Sequence, residues 1–229
     1  MQTFTEAQQK PGLLHGVYSY REAARLLNVS TQRVARWADG YLFEVKYGWR
    51  FSAPVLQSPA HRHGVLSFPE LMELFFVREY SGLGVRLQHI RATAEALARE
   101  VGPFPFTKKQ LLVGGRELLV RQSEDILRRP DIGQLVADFA ESLLHHVEIE
   151  ADEVSRYYPP TFEREVLLDK HIRAGEPVVW ESGYSIPTRI IYALWEAEQD
   201  VDSVADYFNI SPHKVSVAIR YESEWRLVA

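Results

Sequence analysis

An α+β fold, mainly helical, is what this sequence predicts, and three observations predict it. Ser19 to Trp37 carries two helix-start signals around a short turn. The same turn logic returns at Asn209-Ile210-Ser211, and short runs of strand-forming residues stand at Tyr41–Phe51, Val147–Ala151, Glu165–Leu168 and Pro177–Trp180. With 229 residues, 46% of them hydrophobic, the chain has enough apolar material for one large or two modest domains.

The first helix begins where Ser19 can cap the amide of Glu22 while the Glu22 carboxylate reaches back, a reciprocal capping box. Ala23, Leu26 and Leu27 fall on one face, leaving Arg21, Glu22 and Arg25 to water. Asn28 and Ser30 are poor helix formers that flank Val29, so the chain turns with one apolar residue plugged inward. Ser30 caps a second helix that buries Val34 and Trp37 and leaves Thr31, Gln32, Arg33 and Arg36 outside. Arg, Gln and Thr at the start of such a helix supply the donors and acceptors that base edges and phosphates require. A helical hairpin with a solvated basic face is the plainer reading; the agreement of caps, plug and outward donors favours double-stranded DNA.

Beyond Asp39-Gly40, Tyr41 to Phe51 reads as a two-stranded wing around a glycine turn, with Lys46 and Arg50 placed to reach a phosphate backbone. Ser52 to Gly64 reads as a loop. A second capping box, Ser67 with Glu70, and Pro69 in the first turn open a helix to about Tyr80 that Ser81-Gly82-Leu83-Gly84 ends. The helix from Val85 to Val101 carries Leu87, Ile90, Ala94, Leu97 and Val101 at heptad spacing, which suits a dimer seam or packing inside its own domain.

Ser19–Trp37, the wing, and Leu66-Ser67-Phe68-Pro69-Glu70-Leu71 through Gly84-Val85-Arg86-Leu87-Gln88-His89-Ile90-Arg91 follow the order of the winged helix-turn-helix of the MerR family, which residues 13–101 resemble. The resemblance implies a DNA-binding unit. In MerR regulators that sense ligands or metals a long dimerising helix leads to the effector site, whereas here Gly102-Pro103 stops the helix early, which points away from effector sensing.

Residues 102–160 read as an intermediate α/β segment: a hairpin at Leu111–Val120 around Gly114-Gly115, a helix at Ile132–Leu144, and an alternating strand at Val147–Ala151. Tyr157-Tyr158-Pro159-Pro160 is expected to separate this segment from the C-terminal module. Residues 161–229 then read as two strands succeeded by helices. Ile186-Pro187 leads into a helix through Trp195, Asp200 caps a second, and Ser211 with Pro212 starts a third that runs to about Trp225. His213, Lys214 and Arg220 are its exposed cations, a weaker set in acidic surroundings that suits contact with protein better than with DNA.

The order Leu168-Asp169, Gly175-Glu176-Pro177-Val178-Val179, Gly183, Ile186-Pro187 and two closing helices resembles a small domain found in antitoxins of the VapB type. Glu176 replaces that family's lysine and Tyr184-Ser185 its Thr-Arg pair. Together with the head, the tail resembles one subgroup of VapB antitoxins. That resemblance implies a homodimer that represses its own promoter and neutralises a PIN-type ribonuclease, with Arg220 and Arg226 as candidates for reaching the toxin's carboxylates.

Charge agrees with a two-part molecule. Residues 1–65 hold eight Lys or Arg against four Asp or Glu, net +4, while the remainder holds 18 against 27, net −9. The absence of cysteine excludes disulfides, thiol catalysis and thiolate zinc sites. His145-His146 and His61/His63 lack an evident third metal ligand, and no phosphate loop or nucleophile elbow is present, so no enzyme activity, metal or cofactor is expected. No stretch has membrane length or the layout of a signal peptide, so a cytoplasmic protein without membrane contact is expected. The rival to the antitoxin reading is a stand-alone MerR-like regulator that responds to a small ligand held by the middle segment.

Overall fold

The structure, a computed structural model, describes residues 17–108 and 143–226. The chain begins with β1 (Val17–Ser19), α1 (Tyr20–Leu26), α2 (Thr31–Asp39), β2 (Tyr41–Val45), β3 (Gly48–Ser52) and β4 (Val65–Ser67). α3 (Phe68–Gly82) and α4 (Leu87–Val101) come next. The second half holds β5 (Val147–Glu150), β6 (Glu153–Tyr157), β7 (Val166–Asp169), β8 (Val178–Glu181) and β9 (Tyr184–Pro187), then α5 (Thr188–Glu198), α6 (Val201–Phe208) and α7 (Pro212–Arg226).

Both capping boxes form. The Glu22 amide donates to Ser19 Oγ at 3.2 Å and the Ser19 amide to Glu22 Oε2 at 2.6 Å; at the second, the Ser67 amide and hydroxyl both donate to Glu70 Oε2 at 2.7 Å. β1 and β4 pair antiparallel, Val17 opposite Ser67 and Ser19 opposite Val65, so α1 and α3 leave from opposite ends of one small sheet. Strands of three residues have no readable period, and this pair was not expected from the sequence.

α3 is the core. Leu71, Met72, Glu73, Leu74, Phe75, Phe76 and Val77 are all buried, so the helix is covered on every side: the helix-turn-helix and α4 pack on it, and β6 reaches it through Tyr157, whose ring lies 5.1 Å from that of Phe75. The middle of the α4 heptad seam is buried against this core, with Ile90 and Ala94 at 0% exposure and Leu97 at 6%, while Leu87 and Val101 at its ends are half-buried.

Five strands form one antiparallel sheet in the order β5-β6-β7-β8-β9. This corrects two expectations. The tail has three strands, because Ile186-Pro187 is the end of β9 before it leads into α5. Tyr157-Tyr158-Pro159-Pro160 is no free spacer, because Tyr157 is fully buried and pairs with Leu168. Residue 160, the expected boundary, thus lies between β6 and β7, which are hydrogen-bonded neighbours. The hairpin expected at Leu111–Val120 and most of the helix expected at Ile132–Leu144 lie outside the described residues; Leu143–His146 is helical.

Among the described residues, Glu73 is the one acid sealed in this core with an orphaned atom. Its Oε2 accepts from the Phe106 amide at 3.0 Å, while Oε1 has no partner among the described residues. Burial pushes its carboxyl well above the usual range, against the opposing pull of the Phe106 and Thr107 amides and of Lys108. A folded pKa above the unfolded one means the native state keeps a proton that the unfolded chain has lost. The associated stability is therefore complete below the unfolded pKa and falls as pH rises toward the folded one. Glu73→Gln should flatten this decline and raise Tm above wild type at alkaline pH, whereas Glu73→Ala, which strands the Phe106 amide, should cost about 1–3 kcal/mol at any pH. Thermal melts across pH 5–9 check both, and a Gln variant with an unchanged pH profile would rule out the buried proton.

Candidate nucleic-acid interface

The turn between α1 and α2 is made by backbone geometry. Asn28 takes a left-handed conformation, φ 51°, which carries the Val29 amide back to the Ala24 carbonyl at 2.8 Å and lets Val29 pack on the core. Ser30 Oγ then accepts from the Arg33 amide at 3.2 Å and starts α2. Val34, Trp37 and Ala38 face inward, so helical spacing leaves Thr31, Gln32, Arg33 and Arg36 exposed together.

Two aromatic rings hold the arginines. The Arg33 guanidinium lies 5.7 Å from the centre of the Trp37 ring, and that of Arg36 lies 5.0 Å from the Tyr41 ring at the root of the hairpin. Arg36 thereby joins the helix to the β2–β3 hairpin, on which Lys46 and Arg50 are both exposed. Among the described residues, none of Arg33, Arg36, Lys46 and Arg50 is paired with a carboxylate. Ser30, Gln32, Arg33, Arg36, Trp37 and Tyr41 line an open groove of about 450 Å³. Cations held by rings and not by carboxylates remain available to an anion.

The second turn repeats the first in detail. Asn209 has φ 52° and the Ile210 amide donates back to the Ala205 carbonyl at 3.1 Å. Its chemistry differs. Lys214 is ion-paired with Glu165, and His213 lies 3.3 Å from the same carboxylate. Lys214 in turn holds the Glu165 carboxyl below its usual range. Arg220 lies apart from the α2 set, exposed on α7 with its guanidinium 5.1 Å from the Phe162 ring. Arg226 closes α7, and its side chain lies outside the described residues.

One cluster behind α2 escaped the sequence. His61 is drawn out of its loop, with Nε2 3.1 Å from Asp39 Oδ1 and Nδ1 3.0 Å from Glu70 Oε1, while the Tyr20 hydroxyl donates to Asp39 Oδ1 at 2.7 Å and His63 Nδ1 lies 2.9 Å from Asp39 Oδ2. Burial raises the Asp39 carboxyl, but the bonds from Tyr20 and His61 and the charge of His63 outweigh it and hold the group below its usual range. Asp39 ends α2, where a negative charge opposes the helix dipole, and these partners offset that cost while tying α2 to the start of α3. The only sequence signal was His-Arg-His in a proline-containing loop. Among the described residues no three His, Asp or Glu side chains are grouped to hold a metal ion, and no helix is long and apolar enough to cross a membrane.

No protein-family model matches the chain. A protein of Mycobacterium tuberculosis (strain ATCC 25618 / H37Rv) named "Putative antitoxin VapB45" is 26% identical over 227 residues, which is 89% of this chain and 92% of that protein. The crystal structure of Rv2018 from Mycobacterium tuberculosis has 23% identity and a TM-score of 0.64, over 88% of this chain and 96% of that one. The shared architecture is therefore an α+β fold that extends over nearly the whole length of both chains.

Proposed function

We propose that this chain is a DNA-binding antitoxin, itself without catalytic activity, that represses its own operon and neutralises a PIN-type ribonuclease by direct binding. The observation that carries the reading is the similarity to the protein named "Putative antitoxin VapB45", which extends over 89% of this chain and 92% of that protein. The MerR-like head is the DNA reader: Thr31, Gln32, Arg33 and Arg36 meet base edges and phosphates in a major groove, and Lys46 and Arg50 hold the backbone. Their exposure and freedom from carboxylates support that role. The tail is the toxin-binding part. Lys214 and His213 are already matched to Glu165, as suits a surface that does not compete for DNA, and in this reading Arg220, exposed on α7, together with Arg226 enters the toxin's carboxylate cluster.

The protein acts as a homodimer in the cytoplasm. The test is co-purification with the product of the adjacent reading frame, then cleavage of RNA by that partner with and without this chain. A tight complex that silences cleavage is expected, and Arg220→Ala should weaken the silencing. A partner that cleaves RNA equally well in the presence of this chain would sink the antitoxin reading.

A further inference from the structure

The wing carries more apolar surface than a phosphate clamp needs. Tyr47 is 88% exposed, Trp49 68%, Leu42 64% and Phe51 61%. The register places Leu42 opposite Phe51 and Glu44 opposite Trp49, so these four share one face, while Phe43 and Arg50 share the other with Tyr41. Phe51 leans on Gly40 at the root; a Cβ there would collide with its ring and with the Ser52 carbonyl. Toward the tip that support ends, and the described contact of the Tyr47 ring is the Lys46 ammonium, 5.4 Å from its centre.

The turn has no structural need of a tyrosine. Lys46 and Tyr47 both keep negative φ, and the reversal is completed by Gly48 at φ +125°, so residue 47 could be any small polar residue. Four strand steps of about 3.3 Å and the turn carry the tip roughly 16 Å from Tyr41, which sits against Arg36. Half a turn of B-form DNA is about 17 Å, the separation between a major groove and the minor groove beside it.

We propose that the wing tip is a base-contacting wedge: with α2 in the major groove, Tyr47 enters the adjacent minor groove and unstacks a base step, while Lys46 holds the flanking phosphate. This rests on the DNA-reading role proposed above. Apolar side chains inserted this way kink duplexes, and base–aromatic stacking supplies the attraction. Charge complementarity selects nucleic acid as the occupant. Lys46 and Arg50 are unmatched by carboxylates among the described residues, and the wing's one acid, Glu44, stands opposite Trp49, one pair before the Val45–Gly48 pair that closes the hairpin, and is ion-paired with neither cation.

The experiment uses the full chain and a duplex from immediately upstream of its own reading frame, end-labelled for energy transfer and carrying 2-aminopurine at successive steps. Wild type should shorten the end-to-end distance and brighten 2-aminopurine at one step half a turn from the α2 contacts. Tyr47→Ala, with unchanged Tm because the side chain is exposed, should abolish both signals and weaken binding about tenfold. Tyr47→Trp should retain them, and Lys46→Ala should lower only affinity and its salt dependence. Full bending and brightening in Tyr47→Ala, or a wild type that binds in a salt-dependent manner without either signal, would overturn the wedge and leave the DNA reader intact. A wild type with no salt-sensitive binding would overturn both.

Discussion

The double substitution Arg33→Ala, Arg36→Ala is expected to lower affinity for the operator duplex by about a hundredfold or more at fixed salt, from losses of about 1–3 kcal/mol at each arginine. It should also reduce the slope of log K against log salt by roughly two phosphate contacts. Stability should change little, because each guanidinium rests on a ring and makes no buried hydrogen bond; loss of two exposed cation–π contacts costs about 1–2 kcal/mol in all. Lys214→Ala provides the control. Lys214 starts the structurally equivalent helix but is ion-paired with Glu165, so its removal should leave DNA affinity unchanged. Fluorescence anisotropy across a salt series with the three proteins decides the matter. Equal affinity of wild type and the double variant would remove α2 as the reader.

Much of the helix-turn-helix was legible because its determinants are local. Ser19 with Glu22, Ser67 with Glu70, Ser30, Asp200, and Pro212 after Ser211 mark helix starts through groups at most three residues apart, and the helices begin there. The paired turns were legible for the same reason, since Asn tolerates the left-handed conformation that both require. What helical spacing cannot state is against what a face is buried. The α4 seam satisfied the rule for an intermolecular seam and for an internal one equally, and only the presence of α3 and Phe106 beneath it accounts for the burial of Ile90, Ala94 and Leu97.

The sheet was hidden for a related reason. β9 is four residues ending in proline, β1 and β4 are three residues each, and pairing between β6 and β7 spans a Pro-Pro segment that locally favours a break. At the candidate site, the outward set on α2 came directly from the inward positions of Val34 and Trp37. Its support did not: His61 and Asp39 are 22 residues apart, and no local rule brings them together.

Tyr157→Ala should be the most damaging single change, and it tests whether the sheet and the helix-turn-helix share one core. The ring is fully buried and packs on Phe75, so its deletion costs about 3–5 kcal/mol in transfer and cavity terms. Its hydroxyl donates at 2.7 Å to the carbonyl of Leu26, the last residue of α1, whose acceptor the ended helix leaves without an intrahelical partner. Burial pushes the hydroxyl pKa up, so it remains a donor at any working pH. Tyr157→Phe keeps the ring and strands that carbonyl, at about 1–3 kcal/mol. Against a total stability of about 5–15 kcal/mol, the alanine variant should be partly unfolded near 37 °C and the phenylalanine variant folded with a lower Tm. Because Leu26 lies two residues before the Asn28 turn, DNA affinity and sheet structure should be lost in one transition, monitored by anisotropy and far-ultraviolet circular dichroism. Retention of full DNA binding after the sheet has melted would show instead that the helix-turn-helix stands alone and that the buried Tyr157 contact does not couple it to the tail.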